Sequence, residues 1–271
     1  MTVAAWPWTA SAPTRRPHAM LVVFADGPLA DDVPMSLARF GVPRAELIGE
    51  LDVRTIPRGV DPAWFDGWRA GSLRAIASTD LGDALPALDR AAELHVVIAQ
   101  PSAPADLGYL QALWGVARWM VARGASIVLD VHAHRFLRGD ALPAADAPFD
   151  ADREVRLVFE TDSTRTDRAH ALHTRGLRKF GAPELVALCG QADAPLVSSV
   201  VSQVAAAVAG GAELARPRHG VDVSTTETWW IVDDRDGLAE LLQLNNAARV
   251  ILDGRGQHLV GAAARLRDGA S

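Results

Sequence analysis

The chain is nearly free of cysteine and lysine, and it lacks long uninterrupted apolar runs. Its one cysteine, Cys189, excludes an intrachain disulfide and a cysteine-based zinc cage. The setting "ELVALCGQ" is apolar and has no adjacent base, so it predicts a buried strand residue and not a nucleophile. Lys179 is the sole lysine; with the abundance of alanine, this matches the codon bias of a GC-rich genome. No run of about 18 or more uncharged apolar residues occurs, so no membrane-spanning helix is expected. The N-terminal stretch "MTVAAWPWTASAPTRRPHAM" places Arg15 and Arg16 after its weak apolar part, and prolines interrupt it. A secretory signal has the reverse order, so a cytoplasmic location is expected. Residues 1–18 read as a flexible arm whose Trp6 and Trp8 can dock on the body. Motif absences are equally informative. There is no G-x-x-x-x-G-K-[ST], no G-x-G-x-x-G between a strand and a helix, no G-x-S-x-G and no H-E-x-x-H. Gly210–Gly211 ends a helix pattern instead of opening one.

What is present describes an ordinary folded protein. Of 271 residues, 49% are hydrophobic and 22% charged, enough to bury a substantial core. The formal net charge of −6 gives the surface no general attraction for nucleic acid or anionic lipid.

Periodicity divides the chain into two α/β halves, 19–141 and 153–254. In the first, 19–26 and 51–57 read as strands, and 31–41 as a short helix with Asp31 or Asp32 as N-cap and Gly41 as its stop. Trp64, Phe65 and Trp68 fall at helical spacing as a core stripe. A strand at 94–100, an amphipathic helix at 105–124 and a strand at 125–131 form a β–α–β unit whose crossover returns to one sheet. Residues 142–152, rich in Pro, Ala and Asp, read as a linker. The second half opens with a strand at 154–162, then strand–turn–strand over 168–190 and a long helix at 194–211. Strand, short helix and strand follow, and 255–271 is expected to be a mobile tail. The fold expected is α+β: a mixed, mostly antiparallel sheet with helices packed on one side, arranged as two ferredoxin-like halves. A doubly wound α/β sheet is the alternative.

Two constellations carry chemistry. If the strand continues through "DVHAH", then Asp130, His132 and His134 share one face and could ligate a divalent metal. His170 or His173 could complete such a site, but their odd spacing sends them to opposite strand faces. Glu160 or Asp162 could support it. The competing expectation is that His132 and His134 face solvent. The second constellation is basic: Arg165, Arg168, Arg175, Arg178 and Lys179. Of these, Arg168, Arg175, Arg178 and Lys179 are candidates for holding an anion. No aromatic residues interleave with them, which argues against single-stranded nucleic acid.

The block "HTRGLRKFGAPELVAL", 173–188, has a Thr-x-Gly-Leu turn, then Phe-Gly, then Pro-Glu-Leu entering a strand. It resembles a bacterial family of domains of unknown function, numbered 4261. The helix with Trp114 and Trp119, ending in "RGASIVLD", fits the same pattern, and the likeness runs in order over residues 20–225. The resemblance implies a cytoplasmic α+β protein with no established reaction, and it carries over no catalytic residue. The missing catalytic motifs, the acidic surface and the abundance of tryptophan lead to the function expected: a binding or protein-interaction protein without catalytic activity or cofactor, of accessory or immunity type. Its partner would be another bacterial protein, not nucleic acid or membrane, and a homodimer is among its candidate states. Trp6, Trp8, Trp229 and Trp230 are candidate interface anchors, with burial in the core the competing role for the last two. The rival expectation is a metal-dependent hydrolase or oxygenase built on Asp130, His132 and His134.

Overall fold

The computed structural model of the protein describes residues 7–8, 16–160 and 169–269. The chain divides into two compact units between Asp150 and Ala151, within the Pro/Ala/Asp-rich segment 142–152. Both sheets are mostly antiparallel and both carry helices, so the fold is α+β.

In the first unit the apolar run at 19–25 becomes the central strand β1, Ala19–Ala25. Helices α1 (Leu37–Phe40) and α2 (Glu46–Gly49) lead to strand β2, Leu51–Pro57. Three helices follow, α3 (Pro62–Gly67), α4 (Gly71–Leu81) and α5 (Leu85–Arg90). Strand β3 (Glu93–Ala99), helix α6 (Gly108–Ala122) and strands β4 (Ala125–Asp130) and β5 (Arg135–Arg138) complete the unit. The strand order is β2-β3-β1-β4-β5, with every neighbouring pair antiparallel. The predicted β–α–β unit is thus split: β3 and β4 run the same way with β1 between them. That is the ferredoxin-like arrangement, with β5 added at one edge. It rules out the doubly wound parallel alternative for this unit.

Pleating sends alternate side chains to opposite faces, and both faces are used. Val22, Phe24, Leu94, Val96, Ile127 and Leu129 pack with Phe65, Ala77, Leu81 and Leu88 of the α3–α5 segment. Helix α6 lies against β1, β3 and β4. Helices on both faces, instead of one side, follow from strands that are apolar at consecutive positions. Leu107, at the start of α6, and Leu110, Leu113, Ala117 and Met120 along it are all buried.

Two local expectations fail here. The helix expected at 31–41 forms only over Leu37–Phe40, because Ser36 provides the N-cap that Asp31 or Asp32 was expected to supply. Its stop at Gly41 does form, at φ 66°, and an added Cβ would meet the Ala145 carbonyl oxygen. Of the aromatic stripe, Phe65 is buried, whereas Trp64 remains 39% exposed against the edge of Trp68.

The second unit begins with α7 (Ala151–Glu154) and strands β6 (Arg156–Glu160), β7 (His170–Arg175) and β8 (Glu184–Cys189). Helix α8 (Ala194–Ala209), strands β9 (Arg218–Asp222) and β10 (Thr228–Asp233), helix α9 (Leu238–Leu241), strand β11 (Ala248–Leu252) and helix α10 (Ala262–Gly269) follow. The order is β6-β7-β8-β11-β10-β9, and β8–β11 is the parallel pair. After α8 the chain first makes the β9–β10 hairpin, so β11 returns directly beside β8 with no strand between. This half is consequently not ferredoxin-like. Helix α9 covers Val186, Val250 and Leu252 on one face, while α8 packs on β7 and β8. By length and composition alone, residues 191–209 would suffice to cross a membrane; here 194–209 form helix α8, whose Val197, Val201, Val204 and Val208 are buried.

Within the segment expected to be a tail, residues 259–263 are packed against the second unit. Leu259 is fully buried and bridges Cys189, and the Asp193 carboxylate accepts the backbone N–H groups of Gly261 and Ala263 at the start of α10. In the N-terminal arm, Trp8 is buried. Its backbone N–H donates to Gln111 (2.8 Å), its indole N–H donates to the Ala147 carbonyl (2.9 Å), and its ring meets Phe149 edge-on.

Candidate functional site

The D-x-H-x-H segment does not form a strand face. Strand β4 ends at Asp130, residues 131–134 make a turn, and β5 begins at Arg135. Asp130 itself causes the break. Its buried carboxylate accepts the backbone N–H groups of His132 (3.2 Å) and Ala133 (3.1 Å), replacing the next ladder bonds. His134 completes the turn at φ 49°. The period-two alignment of Asp130, His132 and His134 therefore never arises. His132 is not turned to solvent either: it is 3% exposed, and its Nε2 lies 2.6 Å from Nδ1 of His18, with the rings edge to face. The imidazole partner comes from the residue before β1, which periodicity along 126–139 could not reveal. His170 and His173 lie in the other unit. His173 is buried with Nε2 3.1 Å from Glu160, so that carboxylate serves His173 instead. Asp162 lies outside the described residues. Among the described residues, no three metal-capable side chains converge.

The basic cluster also separates. Arg165 and Arg168 lie outside the described residues. Lys179 is fully buried, with Nζ 2.6 Å from the equally buried Glu154 carboxylate, so it is not available to an anion. Arg175 donates to the Leu242 carbonyl, and burial lowers its pKa. Arg178 donates to the Asn245 carbonyl. A basic residue on a turn reads as solvated from sequence, but Leu177 and Phe180 pull this turn inward and carry Lys179 with them.

The same turn explains the 173–188 block. The carboxylate of Glu184, 1% exposed, accepts the Thr174 hydroxyl (2.7 Å) and the N–H groups of Gly176 (3.1 Å), Leu177 (3.3 Å) and Arg178 (3.3 Å). Burial pushes its pKa up, while these four donors pull it back. At Gly176, φ is 121° and a Cβ would stand 2.5 Å from the Glu154 carbonyl oxygen. Only glycine fits. These residues shape a turn.

Among the described residues, an open cleft of about 430 Å³ lies beside Asp83, Val121 and Arg138, where Arg138 is paired with Asp140, and two further surfaces bear on binding. The first is a cleft of about 590 Å³ where the loop after β3 enters α6, lined by Arg44, Glu46, Glu50, Gln100, Asp106 and Tyr109. Arg44 grips Asp106 with two bonds (2.8 and 3.0 Å), and Asp106 also accepts the Gly108 N–H (2.8 Å). The arginine hydrogen bonds hold the Asp106 carboxyl below its usual range. Arg44 is shared between Asp106 and Glu46, and with Glu50 also in the lining the cleft carries more acidic than basic side chains.

The second surface is the outer edge of β2 and the turn after it. Among the described residues strand β2 pairs only with β3, and Asp52, Val53, Arg54 and Thr55 are all exposed. Val53 (45%), Val60 (75%) and Trp64 (39%) are the exposed large apolar side chains of the first unit's described residues; Leu241 (76%) and Val260 (49%) are those of the second. The first three fall within one strand, one turn and one helix. Sequence alternation identified β2 but could not show that it is an edge. Of the tryptophans expected to anchor an interface, Trp229 is core and Trp8 is docked internally; Trp230 is half-buried beneath Arg218, and Trp6 is outside the described residues. No protein-family model, curated protein or solved structure matches the chain.

Proposed function

We propose that the protein is a cytoplasmic protein-interaction protein of accessory or immunity type, acting without catalysis through the β2 edge of its first unit. One observation carries this reading. An unpaired strand edge is followed within a few residues by exposed Val60 and Trp64. Exposed strand edges are templates for pairing, and apolar side chains beside them supply the burial that makes pairing specific. Of the candidate residues named from the sequence, Asp130 is engaged in a turn and Lys179 in an internal ion pair.

The test is site-specific photo-crosslinking in cells. A photoreactive residue at Val60 or Trp64 is expected to give discrete protein adducts. The same residue at Leu241, which is 76% exposed on the second unit, is expected to give none. Equal adducts at 60 and 241, or none at 60, would refute the assignment.

A further inference from the structure

The charge pattern of β2 selects a partner. The strand reads Leu51-Asp52-Val53-Arg54-Thr55-Ile56-Pro57, and Asp52 and Arg54 project from the same face, where they hydrogen-bond to each other. When an edge strand pairs with its own copy, a two-fold axis through the sheet requires some residue to lie opposite itself. Centring on Asp52 or Arg54 sets like charges face to face, which is unfavourable. Centring on Thr55 places Pro57, which has no N–H, opposite Val53 inside the ladder. Centring on Val53 sets Asp52 opposite Arg54 of the other copy, twice over, and Leu51 opposite Thr55. In that register Pro57 falls outside the paired residues, and the exposed Val53 side chain meets its own counterpart.

The other edges fit this pattern less well. Strand β9 would centre on Gly220, which has no side chain to pack, and its Arg218 and Asp222 already engage Trp230 and Thr228. In β6 the central Val158 is half-buried, and Glu160 is engaged by His173. Strand β5 has only four residues.

We propose that β2 pairs antiparallel with β2 of a second copy of this chain, in the register centred on Val53. The two five-stranded sheets then join into one continuous sheet, with Asp52 and Arg54 of both copies forming a quartet of alternating charge. This rests on the β2 edge being an interface, and it names the partner.

The experiment uses the full chain. Val53→Cys is expected to form a covalent dimer on mild oxidation; the native Cys189 is buried and does not interfere. Thr55→Cys is expected not to, because the two copies of residue 55 are offset by four residues. That is about 14 Å along the strand, against roughly 4.4–6.8 Å between Cα atoms for a disulfide. Arg54→Asp alone and Asp52→Arg alone should each weaken dimerisation about tenfold in sedimentation equilibrium, since two attractive cross-strand pairs become repulsive. Mixing the two single variants should restore a mixed dimer, because every cross-strand pair is then opposite in sign. A purely intrachain role for Asp52 and Arg54 would not be rescued by mixing. Equal crosslinking at 53 and 55, no rescue, or a chain that stays monomeric overturns self-pairing. If the Val60 crosslinker then captures a different protein, the interaction reading stands and the second copy falls. If it captures nothing, both fall.

Discussion

Glu184→Gln tests the view that the Gly-Leu/Phe-Gly/Pro-Glu block is a turn held by one buried carboxylate. Each Glu184 oxygen accepts two hydrogen bonds: Oε1 from the N–H groups of Gly176 and Arg178, Oε2 from the Thr174 hydroxyl and the Leu177 N–H. Glutamine keeps one oxygen and turns an NH2 group toward the other pair of donors. The Thr174 hydroxyl cannot easily turn away, because its oxygen already accepts the Leu185 N–H at 2.8 Å. Two donors are therefore left facing a donor. At about 1–3 kcal/mol for each buried group without a partner, the loss is about 2–6 kcal/mol. The assay is urea unfolding combined with hydrogen exchange by mass spectrometry over residues 170–189. A loss of about 3 kcal/mol corresponds to roughly a hundredfold faster exchange where β7 and β8 open together. Exchange and unfolding midpoint indistinguishable from the parent chain would refute the proposed role of Glu184.

Other outcomes follow from the same structure. Lys179→Met should lose about 3–5 kcal/mol by leaving Glu154 buried without its cation, and adding Glu154→Leu should recover part of it; a double variant no better than the single would refute the pairing. Burial pushes the Cys189 thiol up to about 11, so a thiol reagent at neutral pH should label only the unfolded chain, and fast native labelling would contradict this burial. Because the Arg44 hydrogen bonds lower the Asp106 pKa, the stability from this pair is present above the usual aspartate range and lost as pH falls through the lowered value. Arg44→Ala should move the Asp106 titration, followed by NMR, to higher pH; an unchanged midpoint would remove the arginine as its cause. Gly41→Ala forces a Cβ onto the Ala145 carbonyl at positive φ and should cost at least about 1–2 kcal/mol, read as a lower Tm.

Much of the fold was legible because local pattern and tertiary burial agree. Strands β1, β2, β3, β4, β7, β8, β10 and β11 and the long helices α6 and α8 lie where apolar periodicity placed them. The weak signals were short edge pieces. Strands β5 and β9 lack a signal of their own, since four or five residues with mixed polarity carry little period. The site was harder to see. Asp130 could ligate a metal or terminate a strand, and its side chain bonds decide for the second. Lys179 looked exposed because it is charged, until the buried Glu154 was seen opposite it.

By itself, then, the sequence favoured the α+β class, and it revealed the two-part organisation, the buried cysteine and the absence of common nucleotide and hydrolase motifs. These depend on composition and on periods only a few residues long. Tertiary structure alone decided that His132 meets His18, that Glu184 organises a turn, and that β2 is an open edge with Asp52 and Arg54 along it. Those are pairings between residues far apart in the chain, or the lack of one. A strand's own residues do not encode whether a neighbour will cover it.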